Sequence, residues 1–311
     1  MNQPAHGDWL IFRGDGTSRR AVLPQGPPWR RFGPEHASPQ RYVIGADEVD
    51  VVNTALHLRR PLLVTGRPGS GKTTLAHAIA DELQLGPVLR WSINSRSTLE
   101  SALYRYDAVA RLHDTAIADK EHRSAPDVGR YVRLGPLGTA LAPRERARVL
   151  LIDELDKSDL DLPNDLLTVF EEGTFEIPEL ARLTDRDTVS IGVTGSAERV
   201  AVTAGQVSCT QFPVIVVTSN GERDFPPAFL RRCVRLDLPD PGPDRLAEIV
   251  AARLGPDTPA EDLIERFVAL RHEGELATDQ LLNAVHLRLS GVLLDEERLA
   301  LLFRSLDPTQ P

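Results

Sequence analysis

The chain has 311 residues, 41% of them hydrophobic, which is enough for one large domain or two modest ones with a real core. Its formal net charge of −9 supplies no overall basic field, which argues against a general nucleic-acid binder and leaves room only for a local basic strip. The two cysteines, Cys209 and Cys233, are too few for a disulfide framework or a thiolate metal site, and no apolar stretch approaches membrane-spanning length.

Residues 1–40 are rich in Pro and Gly, with Trp9, Trp29 and Phe32 as the main apolar anchors. An irregular arm docked through those aromatics is expected. Met1–Leu10 holds no basic-then-apolar run and does not read as a secretory signal. With two unpaired thiols, the expected location is cytoplasmic. From Tyr42 the texture changes. Val51, Val52, Ala55 and Leu58 fall on one face and predict a helix over Ala46–Arg59. Pro61–Thr65 reads as a short buried strand, Thr73–Leu83 as a helix and Val88–Ile93 as a second strand. Val149–Ile152, Val214–Thr218 and Val234–Leu238 read as three more strands. Strands alternating with helices predict an α/β fold, a parallel sheet flanked by helices. After Pro239-Asp240-Pro241, amphipathic patterns over Arg245–Leu254, Ala260–His272, Asp279–Ser290 and Glu296–Leu306 predict a small all-α lid. The expected plan is an arm over 1–40, a nucleotide-binding core over 41–239 and the lid over 240–311.

The strongest motif is Gly66-Arg67-Pro68-Gly69-Ser70-Gly71-Lys72-Thr73, a full G-x-x-x-x-G-K-[ST] between a predicted strand and a predicted helix. Its glycines let backbone N–H groups face phosphate oxygens, and the following helix adds its positive end. Lys72 can reach the β- and γ-phosphates of ATP, and the Thr73 hydroxyl can ligate Mg2+. Only three of the 36 basic residues are lysines (Lys72, Lys120 and Lys157), so the P-loop lysine stands out. Val149-Leu150-Leu151-Ile152-Asp153-Glu154 is an apolar strand ending in two acids. Asp153 then suits the metal and Glu154 suits orienting and deprotonating the attacking water. Val216-Val217-Thr218-Ser219-Asn220 can place an amide beside that water. Arg231 and Arg232, just before the fifth strand, suit either surface solvation or an arginine finger reaching a neighbouring subunit.

This order of motifs resembles an AAA+ ATPase, and finer details are similar to the MoxR-like branch. Tyr42-Val43-Ile44-Gly45 resembles the segment that packs on adenine, and Gly135-Pro136-Leu137 resembles that branch's Gly-Pro element. Asp153-Glu154-Leu155-Asp156-Lys157, then Leu162-Pro163 and Phe170-Glu171-Glu172-Gly173, are similar to its acidic-motif region. The resemblance covers about residues 40–290. It implies a helix-2 insert at about 94–134 and a pre-sensor hairpin at about 184–211, where Val189, Ile191, Val193, Val200 and Val202 alternate.

What the resemblance implies for the site is specific. Gly66, Arg67, Pro68, Gly69, Ser70, Gly71, Lys72, Thr73 and Thr74 would hold the phosphates, with Val43 and Ile44 against the adenine. Thr73 and Asp153 would hold Mg2+, Glu154 would be the base, and Asn220 the sensor. Arg232 is the first choice for the finger, with Arg231 close behind. Asn94 would restrain Glu154, or serve as a solvated loop residue. One departure stands out: Gln280 occupies the place of the family's lid arginine, so lid coupling is weaker or Arg288 substitutes.

The resemblance further implies a homo-hexameric ring that remodels or matures a protein client, with a separate von Willebrand factor A domain partner. Three alternatives stay open. One is a nucleic-acid motor or loader, for which Arg96, Arg105, Arg111, Arg123, Arg130 and Arg133 in the insert supply positive charge. The acidic balance weighs against nucleic acid, and a solvated or intersubunit face explains those arginines equally well. The second is a nucleotide-switched regulator in a bacterial defence or signalling system. The third, a scaffold with a relic site, is disfavoured by the intact Lys72, Thr73, Asp153 and Glu154.

Overall fold

The computed structural model describes residues 11–12, 14–16, 18, 20, 22–30, 42–183, 188–271 and 276–304. Trp9 and Phe32 of the expected arm lie outside the described residues. The chain divides into two compact units. One comprises 44–66 and 72–238; the other comprises the described residues of 1–43, 67–71 and 239–311.

The first unit begins with α1 (Ala46–Leu58), β1 (Leu62–Thr65), α2 (Lys72–Glu82) and β2 (Leu89–Ser92). It continues through α3 (Leu99–Leu103), β3 (Tyr104–Tyr106), α4 (Ala108–Lys120), β4 (Val132–Leu134) and α5 (Pro136–Ala140). Then come β5 (Val149–Asp153), α6 (Leu162–Glu172), β6 (Thr174–Glu176), α7 (Pro178–Ala181), β7 (Thr188–Gly192), β8 (Arg199–Thr203) and β9 (Gln206–Ser208). It closes with β10 (Val214–Ser219), α8 (Pro227–Leu230) and β11 (Val234–Asp237). A single 3-10 turn, Leu155–Lys157, follows β5.

Five of these strands form a parallel sheet in the order β11-β1-β10-β5-β2. The fold is therefore α/β, as the alternation of patterns predicts. Every residue of β5 is buried, and β10 is nearly so, because helices cover both faces of a parallel sheet. Leu150, Leu151, Ile152, Val216 and Val217 lie at or near zero exposure. Burying each such side chain contributes roughly 1.5–3 kcal/mol before ordering costs. The observed strand ends fall within a residue or two of the predicted ones.

A second, six-stranded sheet has the order β3-β4-β7-β8-β9-β6. Its centre is the antiparallel pair β7–β8, running from Thr188↔Thr203 to Gly192↔Arg199. Val189, Ile191 and Val202 are buried, as their alternation predicts. The three-residue strands β3, β4, β6 and β9 have no sequence pattern of their own. Three residues are too few for a period of two to register.

The other unit contains α9 (Pro243–Leu254), α10 (Glu261–Arg271), α11 (Thr278–Leu289) and α12 (Glu296–Leu302). Leu246, Val250, Phe267, Leu281 and Val285 form its core, with the Phe267 and Phe303 rings edge-on at 5.4 Å. Trp29 packs against this core, its ring 6.1 Å from that of His286. Among the described residues no helix is long and apolar enough to cross a membrane.

Candidate nucleotide site

In open parallel sheets, ligands bind beyond the carboxyl ends of the strands. Here those ends carry the acids and amides singled out in the sequence. The register Ser92↔Asp153 and Val217↔Ile152 aligns the ends of β2, β5 and β10. Asp153 is 5% exposed and fully engaged. Its Oδ1 accepts from the Thr73 hydroxyl at 3.1 Å and the Thr218 hydroxyl at 2.8 Å. Its Oδ2 accepts from Arg90, with Nε at 3.0 Å and Nη2 also bonded. Buried carboxylates require such pairing.

Glu154 leaves the strand with φ 61° and ψ 52°, in the left-handed region. That conformation is uncommon for a residue with a side chain, and it clusters where function requires it. The Glu154 N–H is caught by the Thr218 hydroxyl at 2.8 Å. The carboxylate is thereby turned to the end of β10. Asn220 Nδ2 donates to Glu154 Oε1 at 3.3 Å, and Lys157 Nζ lies 2.9 Å from Oε2. The bond to Glu154 holds the Lys157 ammonium above the usual lysine range. Asp156, 3% exposed, accepts through Oδ2 from the backbone N–H groups of Asn220 (2.9 Å) and Glu222 (3.1 Å). It thus ties the turn after β5 to the loop after β10.

Lys72 opens α2 and is 7% exposed, with Nζ donating to the Gly66 carbonyl at 2.6 Å. Burial pulls its pKa down, and Asp156, Glu154 and Asp153 pull it back up. A buried ammonium facing three acids, at the positive end of a helix, suits a polyphosphate. Arg67–Gly71 belongs to the helical unit. There Arg67 pairs with Asp240 at 3.2 Å. Gly69 has φ +79°, and a Cβ on it would lie 2.9 Å from the Thr278 nitrogen. Gly71 has φ +95°, and a Cβ on it would meet the Tyr42 ring at 3.0 Å. Both positions therefore demand glycine. The Ser70 hydroxyl oxygen is buried with no hydrogen-bond partner among the described residues, which is what a missing phosphate acceptor leaves. Within the sheet unit, Lys72 fits the phosphates of ATP, and Thr73 with Asp153 fits a hard cation that takes only one or two protein oxygens. No cluster of three or more His, Cys, Asp or Glu suited to a metal occurs among the described residues.

Several predicted residues lie elsewhere or are otherwise occupied. The Gln280 amide is engaged inside the helical unit. Its Oε1 accepts from the Ala277 N–H at 2.8 Å and its Nε2 donates to the Arg304 carbonyl at 2.8 Å. Arg288 makes two 2.7 Å bonds to Asp262, so it is equally committed. Arg232 pairs with Glu171 through Nε, whereas Arg231 is exposed. The Asn94 side chain accepts from the Arg96 N–H at 2.9 Å in a local turn and makes no bond to Glu154 among those described. Val43 and Ile44 are half-buried, and the Val43 carbonyl accepts from Arg245 at 3.2 Å. Thr74, the third residue of α2, is half-buried.

Sequence reasoning assigned nothing to Arg90, Thr218, Asp156 or Lys157. Asp156 and Lys157 lie in the acidic run and Thr218 in β10, so their place was visible but their partners were not.

Comparison with known proteins decides the family. A model described as AAA domain (Cdc48 subfamily) matches residues 60–233. The chain belongs to this family. It is an AAA ATPase domain. It is similar to the chaperone protein ClpB of Chlamydia caviae, 29% identical over 182 residues, covering 56% of this chain and 19% of that protein. ClpB of Chlamydia pneumoniae is 35% identical over 118 residues, covering 37% of this chain and 12% of that protein. The Holliday junction branch migration complex subunit RuvB of Solibacter usitatus is 40% identical over 73 residues, covering 22% of this chain and 19% of that protein. The chain therefore spans a fifth or less of these relatives. Among solved structures, NtrX from Brucella abortus in complex with ADP aligns over 85% of this chain and 55% of that one, at 17% identity and a TM-score of 0.41.

Proposed function

We propose that this AAA domain hydrolyses Mg-ATP as a MoxR-like member of the family, within a homo-hexameric ring that remodels or matures a protein client. The observation that carries the reading is the meeting of Glu154 with Asn220 at 3.3 Å, beside Asp153 bonded to Thr73 at 3.1 Å. Lys72 and the Gly66–Thr73 loop bind the phosphates. Glu154 takes the proton of the attacking water, and Asn220 orients the pair. Thr73 and Asp153 would hold Mg2+, which would supply positive charge to neutralise the phosphates. Arg231 or Arg232 completes a neighbouring subunit's site. The pairing of Arg232 with Glu171 favours the exposed Arg231 as the side chain with less to break.

The named function of the ClpB relatives supports a protein client. A von Willebrand factor A domain partner and a cytoplasmic location follow from the MoxR resemblance and from the two free thiols. The short likeness to RuvB favours a second reading, a nucleic-acid motor. Three of the insert arginines weigh against it: Arg111 bonds Tyr106, Arg123 pairs with Glu121, and Arg133 bonds the Val193 and Ser196 carbonyls.

The test is ATP turnover by the purified chain, alone and with Glu154→Gln. Turnover should rise faster than linearly with protein concentration, and the variant should bind ATP while losing roughly 10²–10⁴-fold in rate. Near-normal turnover in the variant overturns the assignment of the base. Strict proportionality to concentration overturns the shared site. DNA-stimulated turnover with a steep salt slope selects the motor, and very slow turnover with nucleotide-dependent assembly selects a nucleotide-switched regulator.

A further inference from the structure

Arg90 lies on β2 two residues before Ser92, whose register partner is Asp153. Leu89 and Trp91 turn into the core, so Arg90 and Ser92 share the polar face. From there the Arg90 guanidinium places two donors, Nε and Nη2, on the single oxygen Oδ2 of Asp153. The pair is strongly asymmetric: the side chain of Arg90 is 56% exposed and that of Asp153 is 7% exposed. The arginine can move into water at little cost, while the carboxylate cannot. A buried carboxylate must have a cationic or hydrogen-bonded partner at all times.

We infer that Arg90 is a positioning residue that serves as the counter-cation of Asp153 when the metal is absent, and so limits how strongly metal and nucleotide binding depend on each other. The inference rests on reading Asp153 as the magnesium acid. With Arg90 in place, metal-free nucleotide meets a carboxylate already neutralised. Without Arg90, Asp153 keeps only the neutral hydroxyls of Thr73 and Thr218, and the phosphates face a buried negative charge with no cation on it until the metal arrives. Nucleotide affinity in the absence of metal should then fall, while affinity in its presence is retained. Metal and nucleotide each report the same coupling, since linkage is reciprocal. The two-donor fork is specific to arginine, so lysine replaces the charge but not the geometry.

The experiment titrates a fluorescent ADP analogue into the full chain, once in EDTA and once in Mg2+, and takes the ratio of the two dissociation constants. In Arg90→Gln this ratio should rise roughly fivefold or more over the unmodified protein. Arg90→Lys should give an intermediate ratio, which keeps the test alive if the glutamine variant does not fold. A ratio unchanged or lowered in the folded variant, including the case where both affinities weaken alike, overturns the inference and marks Arg90 as merely structural. Absence of analogue binding to the unmodified protein would instead overturn the reading of the site itself.

Discussion

The sheet unit and the helical unit handle their polar groups in opposite ways. In the sheet unit, side chains from four separate stretches of sequence meet: Thr73, Arg90, Asp153 and Thr218 on one carboxylate, with Glu154, Lys157 and Asn220 beside it. In the helical unit, α10, α11 and the end of α12 hold their polar groups among themselves, as Gln280 does with the Ala277 N–H and the Arg304 carbonyl, and Arg288 with Asp262. The parallel sheet gathers chemistry because its order, β11-β1-β10-β5-β2, sets distant strand ends side by side. The helices gather apolar surface, and their polar residues cap and fasten them. The difference separates side chains that meet at the strand ends of the sheet from side chains that fasten α9–α12 to one another.

Four substitutions break or sharpen this contrast. Lys72→Ala removes the buried ammonium and should weaken ATP binding by roughly 10²–10⁴-fold, since two charge-assisted bonds to phosphate are lost. Isothermal calorimetry checks it, and unchanged affinity contradicts the site. Phe267→Ala empties the centre of the helical unit and should cost about 3–5 kcal/mol there. Hydrogen exchange should show α9–α12 opening while β5 and β10 keep their protection; equal loss in both would mean the units do not fold separately. Thr218→Val leaves the Glu154 N–H and one lone pair of Asp153 without partners, a cost of about 1–3 kcal/mol. Denaturant midpoints should fall, and turnover should fall with them, because the same hydroxyl sets the aim of Glu154. Gln280→Ala should cost about 1 kcal/mol by loss of the helix cap, with turnover changed less than about threefold. A much larger loss of turnover would show that Gln280 leaves its cap to reach phosphate.

How far the sequence reveals this arrangement follows from the range of each interaction. The three central strands are legible because Pro61–Thr65, Val149–Ile152 and Val214–Thr218 are apolar runs, as burial on both faces demands, whereas the edge strands β2 and β11 alternate buried and exposed residues. The four lid helices are legible because their periodicity is local. Lys72, Asp153 and Glu154 stand out because motif and chemistry coincide. Arg90 does not, since inside Val88–Ile93 it looks like any polar strand residue until the register brings it to Asp153. Nor does anything in Ile152-Asp153-Glu154 announce the left-handed turn at Glu154, which depends on Thr218 more than sixty residues away. Gln280 shows two readings of one position. Its position in the sequence suggests a phosphate contact, while its place three residues after Ala277 makes it a cap.

The scarcity of lysine has a practical consequence. Lys72 is buried and Lys157 is paired with Glu154, whereas Lys120 stands exposed at the end of α4. Of the three lysines, Lys120, in α4, is therefore the one most open to amine-directed reagents. A label fixed there leaves Lys72 and the Lys157–Glu154 pair chemically untouched.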